Sequence, residues 1–338
     1  MTDLRAAPFT ELPDLASETV GGAAIAASDD FFAPKENLVK ASRPVFREEE
    51  YTDRGKWMDG WETRRRRTAG NDWCVIRLGL PGVIHGVVVD TTHFTGNYPD
   101  ACSLEECAVP GDPAIGELLA AAWREVLPKV ALRGDCENAF PVRASRRATH
   151  LRFHIFPDGG VARLRVYGVV APDWEELAKE KEIDLAALAN GGLVVAASDM
   201  FFGRRHNLIL PGAARGMREG WETRRRRGPG HDWAIVKLGR EGIVRGVELD
   251  TSHFKGNAPG SCSVEGVRFP EASGKDLPPP AAPWREILPR VAVTPDAVRL
   301  FREEVRDAGP VTHARLNIYP DGGVARLRLF GPLAGRPA

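Results

Sequence analysis

The chain is 338 residues long, room for two domains of ~150 residues that each bury a core of their own. Its 43% hydrophobic and 27% charged residues are typical of a soluble globular protein. Lysine plus arginine and aspartate plus glutamate both total 46, and this zero formal charge excludes a general nucleic-acid binder, which carries a basic excess.

In chain order, the opening MTDLRAAPFTELPDL lacks a basic stretch followed by an apolar core, so no signal peptide is expected. A first copy of a long repeat begins near PDLAS (13–17). The polar segment KASRPVFREEEYTDRGKWMD (40–59) is expected as a surface loop. GWETRRRR follows at 60–67. In an extended chain Arg64 and Arg66 point one way, and Arg65 and Arg67 the other. DWCVIRLG (72–79) and GVIHGVVVD (82–90) read as short strands joined by a tight turn. They run into VDTTHFTGN (89–97), whose end reads as a loop. HLRFHIF (150–156) alternates, with Leu151, Phe153 and Ile155 on one face and His150, Arg152 and His154 on the other. PDGG (157–160) makes a turn. VARLRVYG returns from it with Val161 or Leu164 inward and its arginines outward.

APDWEELAKEKE (171–182) then reads as a short helical linker, with Asp173 as N-cap and acidic residues in the first turn. Beyond it the chain says the same thing again. GWETRRRR returns at 220–227, LDTSHFKGN at 249–257 and PDGGVARLRLFG at 320–331, displaced by 160, 160 and 163 residues from their first copies. Three blocks in one order at nearly constant offset mark a duplicated domain, far longer than a solenoid unit. The expected organisation is 11–170 for the first repeat, 171–182 for the linker and 183–338 for the second repeat. The second copy is ten residues shorter between Asn207 and Trp221 than the first is between Asn37 and Trp61.

Many short strands, glycine and proline turns and few amphipathic helices point to an all-β chain of two antiparallel sandwiches or jelly rolls. No apolar run reaches 18 residues, so no membrane span is expected. Of the five cysteines, only Cys102 and Cys262 occupy matching positions, so reduced thiols and a cytoplasmic location are expected rather than a disulfide framework.

The residues repeated in both copies carry the candidate chemistry. Glu62 and Glu222 are acid/base candidates. His93 and His253 offer proton transfer near neutral pH. Asn97 and Asn257 present the paired donor and acceptor that match an amide or urea edge. Arg64, Arg66, Arg224 and Arg226, with Arg152 and Arg315 on a matching strand, offer forks for a carboxylate. A salt-bridged face is the competing reading of the arginine run. A hydrogen-bonded turn is the competing reading of DTTHFTGN, with Asp90 either structural or orienting a histidine. His154 becomes Asn317 and Asp30 becomes Met200, so the copies differ at these positions. No cofactor is firmly indicated. A divalent metal remains open, although HExxH, HxH and CxxC spacings are missing and no metal ligand is assigned.

SDDFFAPKENL, GWETRRRR, DWCVIRLG, DTTHFTGN, WREVLP and IFPDGGVARLRVYG, with their second copies, resemble the allantoicase family over nearly the whole chain. The resemblance implies two tandem jelly-roll β-sandwiches of the galactose-binding, discoidin-like type. It also implies hydrolysis of allantoate to ureidoglycolate and urea in ureide catabolism. A small-molecule substrate follows, with neither nucleic acid nor membrane as partner, and a homo-oligomer stays open. The alternative is a non-catalytic discoidin-like binding protein, which would be expected to show exposed loop aromatics and a secretory signal. Both copies keep their Glu, Arg, His and Asn sets, so both sets are expected to be needed for full activity.

Overall fold

The structure, a computed structural model, describes residues 9–143, 145–269, 277–279 and 281–335. The last residues of the expected second repeat, 336–338, lie outside them. The chain divides into two compact units, Met1–Ala171 and Pro172–Ala338. The predicted linker helix forms over Trp174–Leu177, with the Asp173 carboxylate accepting from the backbone of Glu175 and Glu176.

The first unit is a β-sandwich. In chain order its strands are β1 (Ala23–Ala27), β2 (Tyr51–Thr52), β3 (Gly55–Lys56), β4 (Trp61–Glu62), β5 (Asp72–Asp90), β6 (Ala101–Cys107), β7 (Arg124–Ala131), β8 (Glu137–Pro141), β9 (Arg147–Phe156), β10 (Gly160–Val161) and β11 (Arg163–Val170). One layer has the order β1-β5-β9-β6-β7, all antiparallel. In the other, the second half of β5 lies between β11 and β8. The predicted tight turn between residues 79 and 82 is therefore absent. The chain instead runs as one strand that leaves the first sheet and enters the second. Gly82 serves a close crossing, since a Cβ there would sit 2.5 Å from the Val169 carbonyl oxygen. In the second unit the same segment is interrupted, as Asp232–Gly242 and Gly246–Asp250.

Alternation along β9 places Leu151, Phe153 and Ile155 in the core as predicted, but His150 is buried as well. On β11 the expected outward arginine is reversed. Arg163 is fully buried and pairs with the Asp59 carboxylate at 2.7 Å, while also donating to the Asp59 and Ser42 carbonyls. The period-two pattern fails here because a buried carboxylate from the 40–59 segment supplies the countercharge that an inward arginine requires. All five cysteines are free thiols, and four of them are buried.

β4 and β10 form a separate two-stranded ribbon, pairing Trp61 with Val161 and Glu62 with Gly160. Phe94 is buried against it, and a Cβ on Gly160 would lie 2.0 Å from the Phe94 ring. The variant Gly160→Ala should therefore lose ~1–3 kcal/mol of stability, the usual cost of overpacking. Urea unfolding with an unchanged midpoint would remove this contact from the account.

Candidate active site

The ribbon and the 89–97 segment meet at one end of the first sandwich. Asp90 closes β5, and its carboxylate accepts from the Thr92 backbone, so it shapes the turn rather than orienting a histidine. The Thr91 hydroxyl donates to the Arg133 and Cys136 carbonyls and so ties this loop to the 133–136 loop. The Asp135 carboxylate accepts from the His93 backbone at 2.8 Å. His93 and Asp135 both adopt left-handed backbone, at φ 72° and 52°. Such conformations persist in side-chain-bearing residues only where surrounding bonds hold them.

Together these constraints bring Glu62, His93 and Asn97 around one cavity of about 450 Å³. Phe32, Phe46, Lys56, Met58, Thr95 and Asp135 complete most of its wall. The Asn97 amide donates to Glu62 Oε1 at 2.8 Å. Burial pushes the Glu62 carboxyl above its ordinary range, and the Asn97 bond offsets part of that rise. The His93 ring lies 5.4 Å from the Phe46 ring, centre to centre, and among the described residues its nitrogens have no hydrogen-bond partner. Sequence reasoning missed Lys56 and Phe46, because the 40–59 segment read only as a polar surface loop. One signal was available: this segment beside GWETRRRR is the one place where the first copy is ten residues longer than the second.

None of the arginines expected to bind substrate lines this cavity. Arg64 donates from Nε and Nη2 to Asp29 Oδ1, and its backbone N–H donates to Asp29 Oδ2 at 2.7 Å. Arg66 pairs with buried Asp72 at 2.7 Å, while its N–H donates to Asp158 of the PDGG turn. Arg152 bonds Glu105 at 2.6 Å and lies over the Trp123 ring. In the second unit Arg224 pairs with Asp199, Arg226 with Asp232, and Arg315 with Glu265. Each of these six guanidiniums holds a carboxylate of the chain, the ion pairing that the competing salt-bridged reading describes.

In the second unit Asn257 again donates to Glu222, at 2.6 Å, and His253 again has φ 72°. The surroundings differ. His253 Nε2 is hydrogen-bonded to the Ala214 carbonyl at 2.9 Å, and the Asn257 amide lies 3.8 Å from Met217 Sδ. The change of His154 to Asn317 is matched by a change of Asn71 to His231. Asn71 bonds His154 Nδ1 at 3.0 Å in the first unit, and His231 bonds Asn317 Oδ1 at 3.2 Å in the second. The imidazole and the amide have exchanged strands, and the pair persists. Among the described residues, no group of three or more His, Cys, Asp or Glu side chains is placed to hold a metal ion. No helix of the described residues is long and apolar enough to cross a membrane.

A small cavity at the loop end of the β-sandwich, walled by two carboxyls, an imidazole, an amide and an ammonium beside Phe32, Phe46 and Met58, has the mixed lining of small-molecule sites. Comparison with known proteins gives the class a name. The allantoicase repeat family model matches residues 13–171 and 183–334. A probable allantoicase of Pseudomonas aeruginosa is 48% identical over 326 residues, which is 96% of this chain and 97% of that one. A probable allantoicase of Photobacterium profundum is 45% identical over 97% of this chain and 98% of its own. The crystal structure of an allantoicase from Saccharomyces cerevisiae superposes with a TM-score of 0.79 at 34% identity, covering 95% of this chain and 93% of that chain. The chain belongs to the allantoicase family, and its two sandwiches are the repeats of that family.

The exchanged pair makes a direct prediction. Asn71→His and His154→Asn should each lower stability, and the double variant should recover most of the loss. Contacting residues couple by ~0.5–3 kcal/mol. Strictly additive effects in a thermal-unfolding cycle would show that the two side chains do not act as a pair.

Proposed function

We propose that the chain hydrolyses allantoate to ureidoglycolate and urea, with the first-repeat cavity as its active site. The observation that carries this reading is the pairing of a carboxyl raised by burial with an amide, facing an unoccupied imidazole across one small cavity. The reaction breaks a C–N bond between the central carbon and one ureido nitrogen, and forms a C–O bond to water. The departing nitrogen needs a proton. Glu62, kept protonated to higher pH than an exposed glutamate, delivers it. The entering water must lose a proton, and the His93 imidazole, whose ring nitrogens have no partner among the described residues, accepts it. Because the Asn97 N–H is used by Glu62, its side-chain oxygen is left to accept from a ureido N–H. Family membership supports the substrate, and the placement of Glu62, His93 and Asn97 supports the roles.

Purified protein should release urea and ureidoglycolate from allantoate and leave allantoin unchanged. No urea above background, with or without added divalent metal, would reject the enzyme reading in favour of a binding protein. Glu62→Gln should lower kcat by ~10²–10⁴, the usual contribution of a positioned acid. The pH profile has a defined sign. A catalytic acid works below its pKa, so activity should fall as pH rises through the ionisation of Glu62. The Asn97 bond lowers that pKa, so Asn97→Ala should move this basic limb to higher pH. A limb that stays in place, or moves down, would remove Glu62 as the acid.

A further inference from the structure

Resting on that reading of the cavity, we infer that Lys56 is the residue that recognises the substrate carboxylate, and that the segment bearing it makes the first repeat the only catalytic one. Among the described residues lining the cavity, Lys56 is the one permanent cation. It sits at the end of the β2–β3 hairpin, whose strands pair Tyr51 with Lys56 and Thr52 with Gly55. No carboxylate of the described residues pairs with it. Its ammonium lies instead 4.5 Å from the centre of the Phe46 ring, which itself packs against His93. An exposed cation over an aromatic face is held weakly compared with a charge-assisted bond to a carboxylate. Lys56 is thus held near the cavity without its charge being neutralised, in contrast to Arg64, Arg66 and Arg152.

The second repeat lacks this element. At the constant offset of 160 residues that relates GWETRRRR to its copy, Gly216 stands where Lys56 stands in the first repeat. The shortened segment on either side of it covers the groups that would do chemistry. The Ala214 carbonyl takes His253 Nε2, and Met217 lies against the Asn257 amide. The conserved contact Asn257–Glu222 survives there as a tie between loop and ribbon. The longer segment of the first copy therefore presents Lys56, where the second copy has Gly216, leaves the imidazole free and sets specificity for an acid over a neutral ureide. The second copy is retained as structure.

Two measurements test this. Titration of the Glu62→Gln variant of the full chain with allantoate by calorimetry should give one site per chain. Two equivalent sites would overturn the assignment. Steady-state kinetics should then compare allantoate with its primary amide, which keeps both ureido groups and loses the charge. The wild-type chain should prefer the acid in kcat/KM, and Lys56→Met should raise KM for allantoate by about ten- to a hundredfold with little change for the amide. Lys56→Arg, which keeps the charge on the same exposed hairpin, should retain part of the preference. If Lys56→Met discriminates acid from amide as the wild type does, the inference fails while the hydrolase reading stands. Absence of urea release by the wild type would instead defeat the hydrolase reading itself.

Discussion

Phe94, in the loop that follows β5, packs its ring onto the β4–β10 ribbon, against glycine backbone that has no side chains in the way. Gly60 and Gly160 both face its ring, and Gly220 and Gly323 face Phe254 in the second unit in the same manner. This contact sets the distance between ribbon and loop. Glu62 belongs to one and Asn97 to the other, so their hydrogen bond depends on it. The strained backbone at His93 depends on it too, because the bonds from Thr91 and Asp135 hold the same loop from its other side. A dry aromatic contact tolerates little displacement, since interiors pack as densely as crystals.

The arginine run performs a second kind of fixing. Asp29 and Asp158 each accept from an arginine backbone N–H, and Asp29 and Asp72 take the side chains. The segment after the ribbon is thereby pinned at alternate residues, with the other two arginines, Arg65 and Arg67, exposed. Asp199, Asp321 and Asp232 repeat the arrangement around Arg224 and Arg226. The pairs of Arg64 with Asp29 and Arg224 with Asp199, whose guanidiniums are exposed, add little stability one by one. As backbone clamps the aspartates give Arg64 and Arg66, and their counterparts Arg224 and Arg226, a structural reason to recur. The exchanged Asn71–His154 and His231–Asn317 pairs carry the same lesson, because a duplicated fold preserves interactions rather than residue types at fixed positions.

The two units thus share an architecture and differ in what surrounds the repeated side chains. Their sandwiches, ribbons and clamps correspond, whereas the cavity wall of the first is built partly from a segment the second has shortened. Identical motifs end in different environments. His93 packs beside the Phe46 ring with its nitrogens unbonded among the described residues, and His253 is tied to a carbonyl. Repetition in sequence is a reliable sign that a residue is constrained, but it does not say by what.

By itself the sequence determined the duplication, the all-β character, the linker helix with its Asp173 cap, and the grouping of Glu62, His93 and Asn97 as residues of interest. These features are local or periodic: alternation, turn residues and caps act over a few positions and can be read from neighbours along the chain. Tertiary structure decided the rest. Only the fold shows that β5 continues through its glycines, because the reason is the Val169 backbone far along the chain. Only the fold shows that Arg163 turns inward, because its partner Asp59 is distant in sequence. It likewise assigns Arg64, Arg66 and Arg152 to Asp29, Asp72 and Glu105, and brings Lys56 and Phe46 to the cavity. The energy of a charge depends on what surrounds it, and those surroundings come from segments that the linear order keeps apart.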